Sequence, residues 1–316
     1  MKKAFIIAGI ITAVGLALFI TVFAVAGSDL SIFGGTVEPK TYPVGGSFTG
    51  IEIDSGESDI VFKPSADGKA SVVCEERAKV TYGVRVENGT LKIAVEDSRA
   101  WYEHLTFFAK RQSMTVYLPD AEYEALRVSS GTGDVSVPAG FTFASAEVTA
   151  STGDVSFGAS VGGLLKIKTS TGDITLDRLS AGQIALEVST GDVKASSVGC
   201  EGEIAVKVST GDAVLTDVTC ASLQTTGSTG RVTLKNVIAE DSFAIERSTG
   251  DVRFEGCDAG SIKVDTSTGD VTGTLLSEKV FLAKASTGDV SVPDTTTGGR
   301  CEITTSTGDI GIAIVK

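Results

Sequence analysis

The sequence predicts an all-β fold: a single-chain β-solenoid, β-helix-like, of about ten 19–20-residue coils with an N-terminal β cap, preceded by one transmembrane helix. Three observations predict it. A Ser-Thr-Gly-Asp tetrapeptide or close variant recurs, its last residue falling at Asp134, Asp154, Asp173, Asp192, Asp212, Arg231, Asp251, Asp270, Asp289 and Asp309. The intervals are 19 or 20 residues throughout, a period typical of stacked coils. Apolar residues alternate on both sides of the motif. Counting the Asp as zero, position +1 holds Val155, Ile174 and Val193, position +3 holds Phe157 and Leu176, and position −6 holds Val148, Ile167 and Leu186. A period of two is that of a strand with one buried face. Composition agrees: aromatic residues are 6% of the chain, and its 37 Gly suit short strands joined by tight turns.

One such coil cannot bury its apolar face, whereas a stack of them buries a continuous column of Val, Ile and Leu. An antiparallel meander of hairpins is disfavoured, because the same side-chain phase recurs in every repeat, as stacking of equivalent coils requires.

The elements follow in chain order. Lys2 and Lys3 precede an uncharged apolar run from Ala4 to Gly27, which is long enough to cross a ~30 Å hydrocarbon core. Residues 1–28 are read as an anchor with a cytoplasmic N-terminus, which puts the remainder outside a bacterial cytoplasmic membrane. The rival is a cleaved secretory signal, since Ala24-Val25-Ala26 resembles a cleavage site. Residues 29–47 form a linker. Residues 48–125 form the N-terminal β cap region. Its leading segment is already in phase with the repeat, with Ile51 at −8, Ile53 at −6, Asp59 at zero, Ile60 at +1 and Phe62 at +3. An insertion follows, in which Asn88-Gly89 signals a type I′ hairpin. Residues 126–316 are the repeat solenoid.

The motif itself has a structural and a functional reading. Gly accepts positive φ, and Asp, Ser and Thr side chains bond turn amides. The functional reading is a calcium site along the ladder of nine carboxylates, Asp134, Asp154, Asp173, Asp192, Asp212, Asp251, Asp270, Asp289 and Asp309. Stacked ~4.8 Å apart, such charges repel and call for relief by amides, splayed rotamers or a cation. The dense nonapeptide calcium repeat is absent, however, and one Asp per coil supplies few ligands. Arg231, between Asp212 and Asp251, is placed to pair with both.

Other function classes find little support. A net charge of −13 disfavours nucleic acid, whose phosphates need Lys and Arg. The only His is His104, no nucleophile or phosphate-loop motif occurs, and nearly every Asp belongs to the repeat, so no enzyme is expected and no catalytic residue or cofactor is assigned. An ice-binding face would need Thr-x-Thr on an outer strand, where Lys166/Lys168, Ala205/Lys207 and Lys263/Asp265 stand instead. Cys74, Cys200, Cys220, Cys257 and Cys301 read as buried thiols. Cys200 and Cys220 occupy equivalent positions in adjacent coils, which makes them the one plausible disulfide. The aromatic stretch with Trp101, Tyr102, His104, Phe107 and Phe108 packs a cap onto the first coil or forms a partner patch.

The leading "FTGIEIDSGESDIVF" and the many "STGDV" repeats, behind one export helix, resemble a bacterial β-strand-repeat family called domain of unknown function 4097, described as "putative adhesins". The resemblance spans roughly residues 48–316 and implies a solenoid-like β fold and an envelope location. It carries no catalytic residues. The expected function is a non-enzymatic extracytoplasmic scaffold that binds an envelope polymer or protein. The alternatives are an accessory or sensor in envelope-stress signalling, as some relatives imply, and a calcium-organised surface protein.

Overall fold

The computed structural model describes residues 12–17, 37–77, 79–99 and 112–315. Each coil runs as a strand into the Gly-Asp corner, a short strand after it, and a return through a second corner. Neighbouring coils are parallel and in register: Val148 pairs with Val128 on one side and Ile167 on the other, and Val155 pairs with Val135 and Ile174. Equivalent positions therefore stack, and the apolar residues of one phase form a single core cluster running from Ile51 to Ile312. This is a β-solenoid of about ten turns. From Ile174–Thr190 onward the return corner is hydrogen-bonded as well in four coils, which become strands of 17 or 18 residues.

The return corner bends at position +5, where Arg178, Ser197, Asp217 and Asn236 have φ between 51° and 54° and Gly256 has φ 62°. Asn, Asp and Gly tolerate that left-handed backbone well. The stacked Asn236 amide donates to Asp217 Oδ1 at 2.8 Å, joining two such corners.

The leading segment joins the stack as its phase predicts. Ile53 pairs with Val128 and Ile60 with Val135, so the Asp59 coil lies directly on the Asp134 coil. Its other side is not the end of the molecule. There Ile53 pairs with Ile93 and Ile60 with Met114, so Thr90–Asp97 and Ser113–Leu118 supply one more rung outside it. Val80–Glu87 folds back antiparallel on Thr90–Asp97 through Asn88 (φ 51°) and Gly89 (φ 74°), the expected hairpin. Ser71–Glu76 lies antiparallel on Ser113–Leu118, and Glu38–Pro43 lies antiparallel on Ser71–Glu76.

The C-terminal end shows the same interleaving. The segment entering the Asp270 corner pairs not with the next equivalent segment in sequence, Lys279–Thr287, but with Gly299–Thr307, as Val264 with Ile303. Lys279–Thr287 pairs with the opposite edge of Gly299–Thr307. The stack therefore runs Asp251, Asp270, Asp309, Asp289: the last coil in sequence is the penultimate rung. Ile310–Ile314 is held between Val271–Leu275 and Val290–Ser291.

Of the expected anchor, residues 12–17 are helical and the rest of 1–28 lies outside the described residues. Among the described residues no helix is long and apolar enough to cross a membrane. The aromatic stretch with Trp101, Tyr102, His104, Phe107 and Phe108 also lies outside them.

Candidate functional site: the Asp corner and the lateral face

The corner is built from its glycines outward. Gly211 has φ 138°, a conformation that side chains resist, and a Cβ placed there would lie 2.0 Å from the Gly191 carbonyl oxygen of the rung before. Stacked Gly-on-Gly contact is what lets neighbouring corners approach. The Gly N–H donates to the next rung's Thr carbonyl, as Gly211 to Thr229 at 2.9 Å. The +1 N–H donates to the next rung's zero-position carbonyl, as Val193 to Asp212 at 2.9 Å.

The Asp side chain completes this ladder. Asp134 Oδ1 accepts the Asp154 N–H at 2.9 Å, Asp154 Oδ1 accepts that of Asp173 at 2.8 Å, and Asp173 Oδ1 that of Asp192 at 2.8 Å. The series continues through Asp192 to Asp212 and Asp212 to Arg231, then from Asp251 to Asp270, Asp270 to Asp309 and Asp309 to Asp289. Asp59 Oδ1 starts it by accepting the Asp134 N–H at 2.9 Å. All nine motif carboxylates are thus brought into one file, with turn amides relieving their repulsion. At Asp173 the Asp192 N–H, opposed by partial burial and aided by Lys194, holds the carboxyl below the ordinary range. Lys194 Nζ reaches Asp173 Oδ2 at 3.2 Å and Asp192 Oδ2 at 3.6 Å. Among the described residues no group of three or more His, Cys, Asp or Glu side chains is arranged to hold a metal ion.

Arg231 interrupts the file. Its side chain is exposed and, among the described residues, makes no ion pair with Asp212 or Asp251. It also has no carboxylate to offer the Asp251 N–H. Arg231→Asn supplies an acceptor without adding charge, and is expected to stabilise the fold by about 1 kcal/mol. The measurement is the urea midpoint, which should rise with an unchanged slope; a fall would remove the Asp file from the list of stabilising devices.

A second departure sits just inside this corner. Arg247, at inward position −4, is buried, and its Nη1 occupies the space that a Gly227 side chain would take and donates to the Val208 carbonyl at 3.0 Å. Its Nε and Nη2, and the nearby Thr225 hydroxyl, have no hydrogen-bond partner among the described residues. Desolvation lowers the guanidinium's pKa. The signal for this arrangement was present in the sequence as a Gly and an Arg at the same inward position of consecutive repeats.

The cysteines are all free and buried. Cys200 Sγ lies 3.6 Å from the Gly182 and Glu203 carbonyls rather than in a bridge with Cys220. Burial raises the Cys74, Cys220 and Cys301 thiols to about 12, so they are poor nucleophiles.

The outward −7 and −5 positions form the other surface with chemistry. Register sets Lys166 beside Ala185, Ala205 and Gln224, and Lys168 beside Glu187, Lys207 and Thr226. The two alanines leave a shallow groove of about 270 Å³ between the longer side chains. Glu187 is bracketed by Lys168 at 3.2 Å and Lys207 at 3.4 Å, and Glu147 by Lys166 at 3.0 Å and Arg127 at 3.3 Å. Hydrogen bonds from Lys168 and Lys166 hold the respective carboxyls below their usual range. Four cations against two carboxylates make this patch locally basic on a chain whose net charge is −13.

Fold and corner together define a parallel β-solenoid whose turns are locked by a Gly contact and an Asp-to-amide ladder. The chain belongs to the Toastrack DUF4097 family, whose model matches residues 48–212 and 200–316. Among solved structures, it resembles a "putative adhesin" from Parabacteroides distasonis, with TM-score 0.53 and 16% identity over 76% of this chain and 97% of that one. A "putative adhesin" from Bacteroides fragilis gives 0.44 and 13% over 88% and 97%. A "putative lipid binding protein" from Parabacteroides distasonis gives 0.48 and 13% over the same shares. At such identities the likeness is one of fold. No curated protein matches the chain.

Proposed function

We propose that this chain is a non-enzymatic, extracytoplasmic β-solenoid scaffold that binds an anionic polymer of the cell envelope along its lateral face. The observation that carries this is the basic groove of Lys166, Lys168 and Lys207 over Ala185 and Ala205. A rigid stack presents those side chains at fixed ~4.8 Å steps, which suits a repeating ligand better than a compact one. Concentrated positive potential on an otherwise acidic molecule favours phosphate- or carboxylate-bearing chains and repels them elsewhere. The apolar run from Ala4 to Gly27 is the proposed anchor, with the N-terminus in the cytoplasm and the solenoid outside. The Asp file is assigned to structure rather than to calcium, because Oδ1 of the file's carboxylates is already committed to amides from Asp134 through to Asp309, apart from the break at Arg231.

The test is binding of the full chain in detergent to isolated envelope polymers, with a Lys166→Glu/Lys168→Glu/Lys207→Glu variant beside it. Tight, salt-sensitive binding that falls at least about tenfold in the variant supports the reading. Equal binding by both proteins removes the groove from it, and no binding by either removes the adhesive function.

A further inference from the structure

Every inner rung donates its Gly and +1 N–H groups to the rung that follows in the stack. The last to do so is the Asp309 rung, where Gly308 donates to Thr287 at 3.0 Å and Ile310 to Asp289 at 2.8 Å. Among the described residues the Asp289 rung has no successor: no following rung accepts the Gly288 and Val290 N–H groups or offers an amide to Asp289 Oδ1. Lys279–Thr287 is correspondingly paired along one edge only.

This end differs from the rest of the molecule in its side chains. Val280, Leu282 and Val290 are 38%, 50% and 45% exposed, while Phe281, Ala283 and Ala285 are only partly buried although they pack on the core. Natural edge strands are usually blunted by proline, charge or a covering segment. The opposite end of the stack follows that rule: its outermost rung is overlaid by antiparallel strands, and Glu38–Pro43 carries Pro39, Pro43, Glu38 and Lys40. Among the described residues the strand at the C-terminal end is instead fixed and open. Lys279 anchors its first residue through Asp258 at 2.6 Å and Ser277 at 2.6 Å.

We propose that the open end docks a second copy of this chain, residues 278–284 pairing antiparallel with their counterparts about a two-fold axis at Phe281. The sequence of the strand selects both the occupant and the register. With Phe281 at the axis, Val280 of each copy stands opposite Leu282 of the other, and Glu278 opposite Lys284, each pair occurring twice. Shifting the axis by one residue sets Val280 against Lys284, or Leu282 against Glu278. The four residues are all exposed; Val280, Leu282 and Lys284 lie on the same outward face of the strand, and Glu278 immediately precedes it in the same alternation. Opposite charges and apolar pairs directly across an antiparallel ladder are favourable, while a slip places every pair wrongly. An isologous contact of this kind closes at two copies, so it consumes the open edge without building a filament. With the anchor proposed above at the far end, the same contact joins two surfaces tip to tip; that step rests on the anchor, whereas the dimer does not.

Sedimentation equilibrium of the full chain in density-matched detergent tests this with a charge swap. The wild-type chain is expected to form a dimer. Lys284→Glu, which sets two carboxylates opposite each other at both ends of the contact, should weaken it at least tenfold. Glu278→Lys combined with Lys284→Glu should restore it. Both positions are exposed, and an unchanged melting temperature verifies that each variant is folded. A wild-type chain that stays monomeric, a dimer indifferent to Lys284→Glu, or a double variant that fails to recover overturns the proposal. None of these outcomes depends on polymer binding, so the lateral-groove reading stands or falls separately.

Discussion

Gly211→Ala is expected to destabilise the solenoid by at least ~3 kcal/mol, a large share of the stability of an ordinary domain. Two costs add. The new side chain must adopt φ 138°, and its Cβ is driven to 2.0 Å from the Gly191 oxygen. Backbone is on the receiving side of that contact, so no rotamer change relieves it; the rungs must separate and break the Gly191 N–H bond to Thr210 and the Asp192 bond to the Asp212 N–H. Denaturant unfolding measures the loss. Gly199→Ala in the adjoining Asp192 rung is the control: it lies outside the corner, and its added methyl meets nothing closer than the Thr219 hydroxyl at 3.9 Å. Equal costs for the two would mean that the corner approach is not what holds the rungs together.

The second large effect concerns residues 299–316. In a stack ordered by sequence, deleting the last coil would remove one terminal rung and leave its neighbour intact. Here the deletion takes out the rung on which Lys279–Thr287 and Val290–Ser291 depend for all their parallel pairing. Two rungs should therefore be lost for one deleted. Hydrogen exchange should rise across 279–291 as fully as in an unfolded peptide, while the strand ending at Thr268 becomes the new slow-exchanging edge. Continued protection of 279–291 would show that this segment can re-dock on the Asp270 rung. That re-docking is chemically plausible in register, since Phe281 and Ala283 carry the same phase as Cys301 and Ile303.

This ambiguity explains what the sequence could and could not disclose. The phase of Val148, Ile167 and Leu186 is a statement about equivalence, and it located the core, the corner and the Asp59 rung correctly. It contains no statement about adjacency. Rungs ending at Asp289 and Asp309 carry the same motif, so either can sit on Asp270; the choice is made by the connecting segments, not by the repeat. The same holds at the other end, where the outermost rung is assembled from Thr90–Asp97 and Ser113–Leu118, strands that carry no Ser-Thr-Gly-Asp signature at all. The Asn88-Gly89 hairpin was legible because two residues specify it. The return corner was legible only in part: Asp217, Asn236 and Gly256 suit positive φ, but Arg178 and Ser197 adopt it because the stack imposes it. The basic groove was visible as lysines at −7 and −5, but its floor is made by alanines of adjacent rungs, which only register brings together.

The interleaved ends also bear on mechanical load. Tension applied to the C-terminus reaches Ile310–Ile314 first, a strand clasped between Val271–Leu275 and Val290–Ser291. A free outermost coil peels one hydrogen bond at a time along a single seam. A clasped coil must shear two seams at once, with the outer rung acting as a keeper. A protein that tethers surfaces under flow would gain from ends tucked in this way, much as a rope is whipped so that pulling on the tail tightens the binding rather than starting to unlay it.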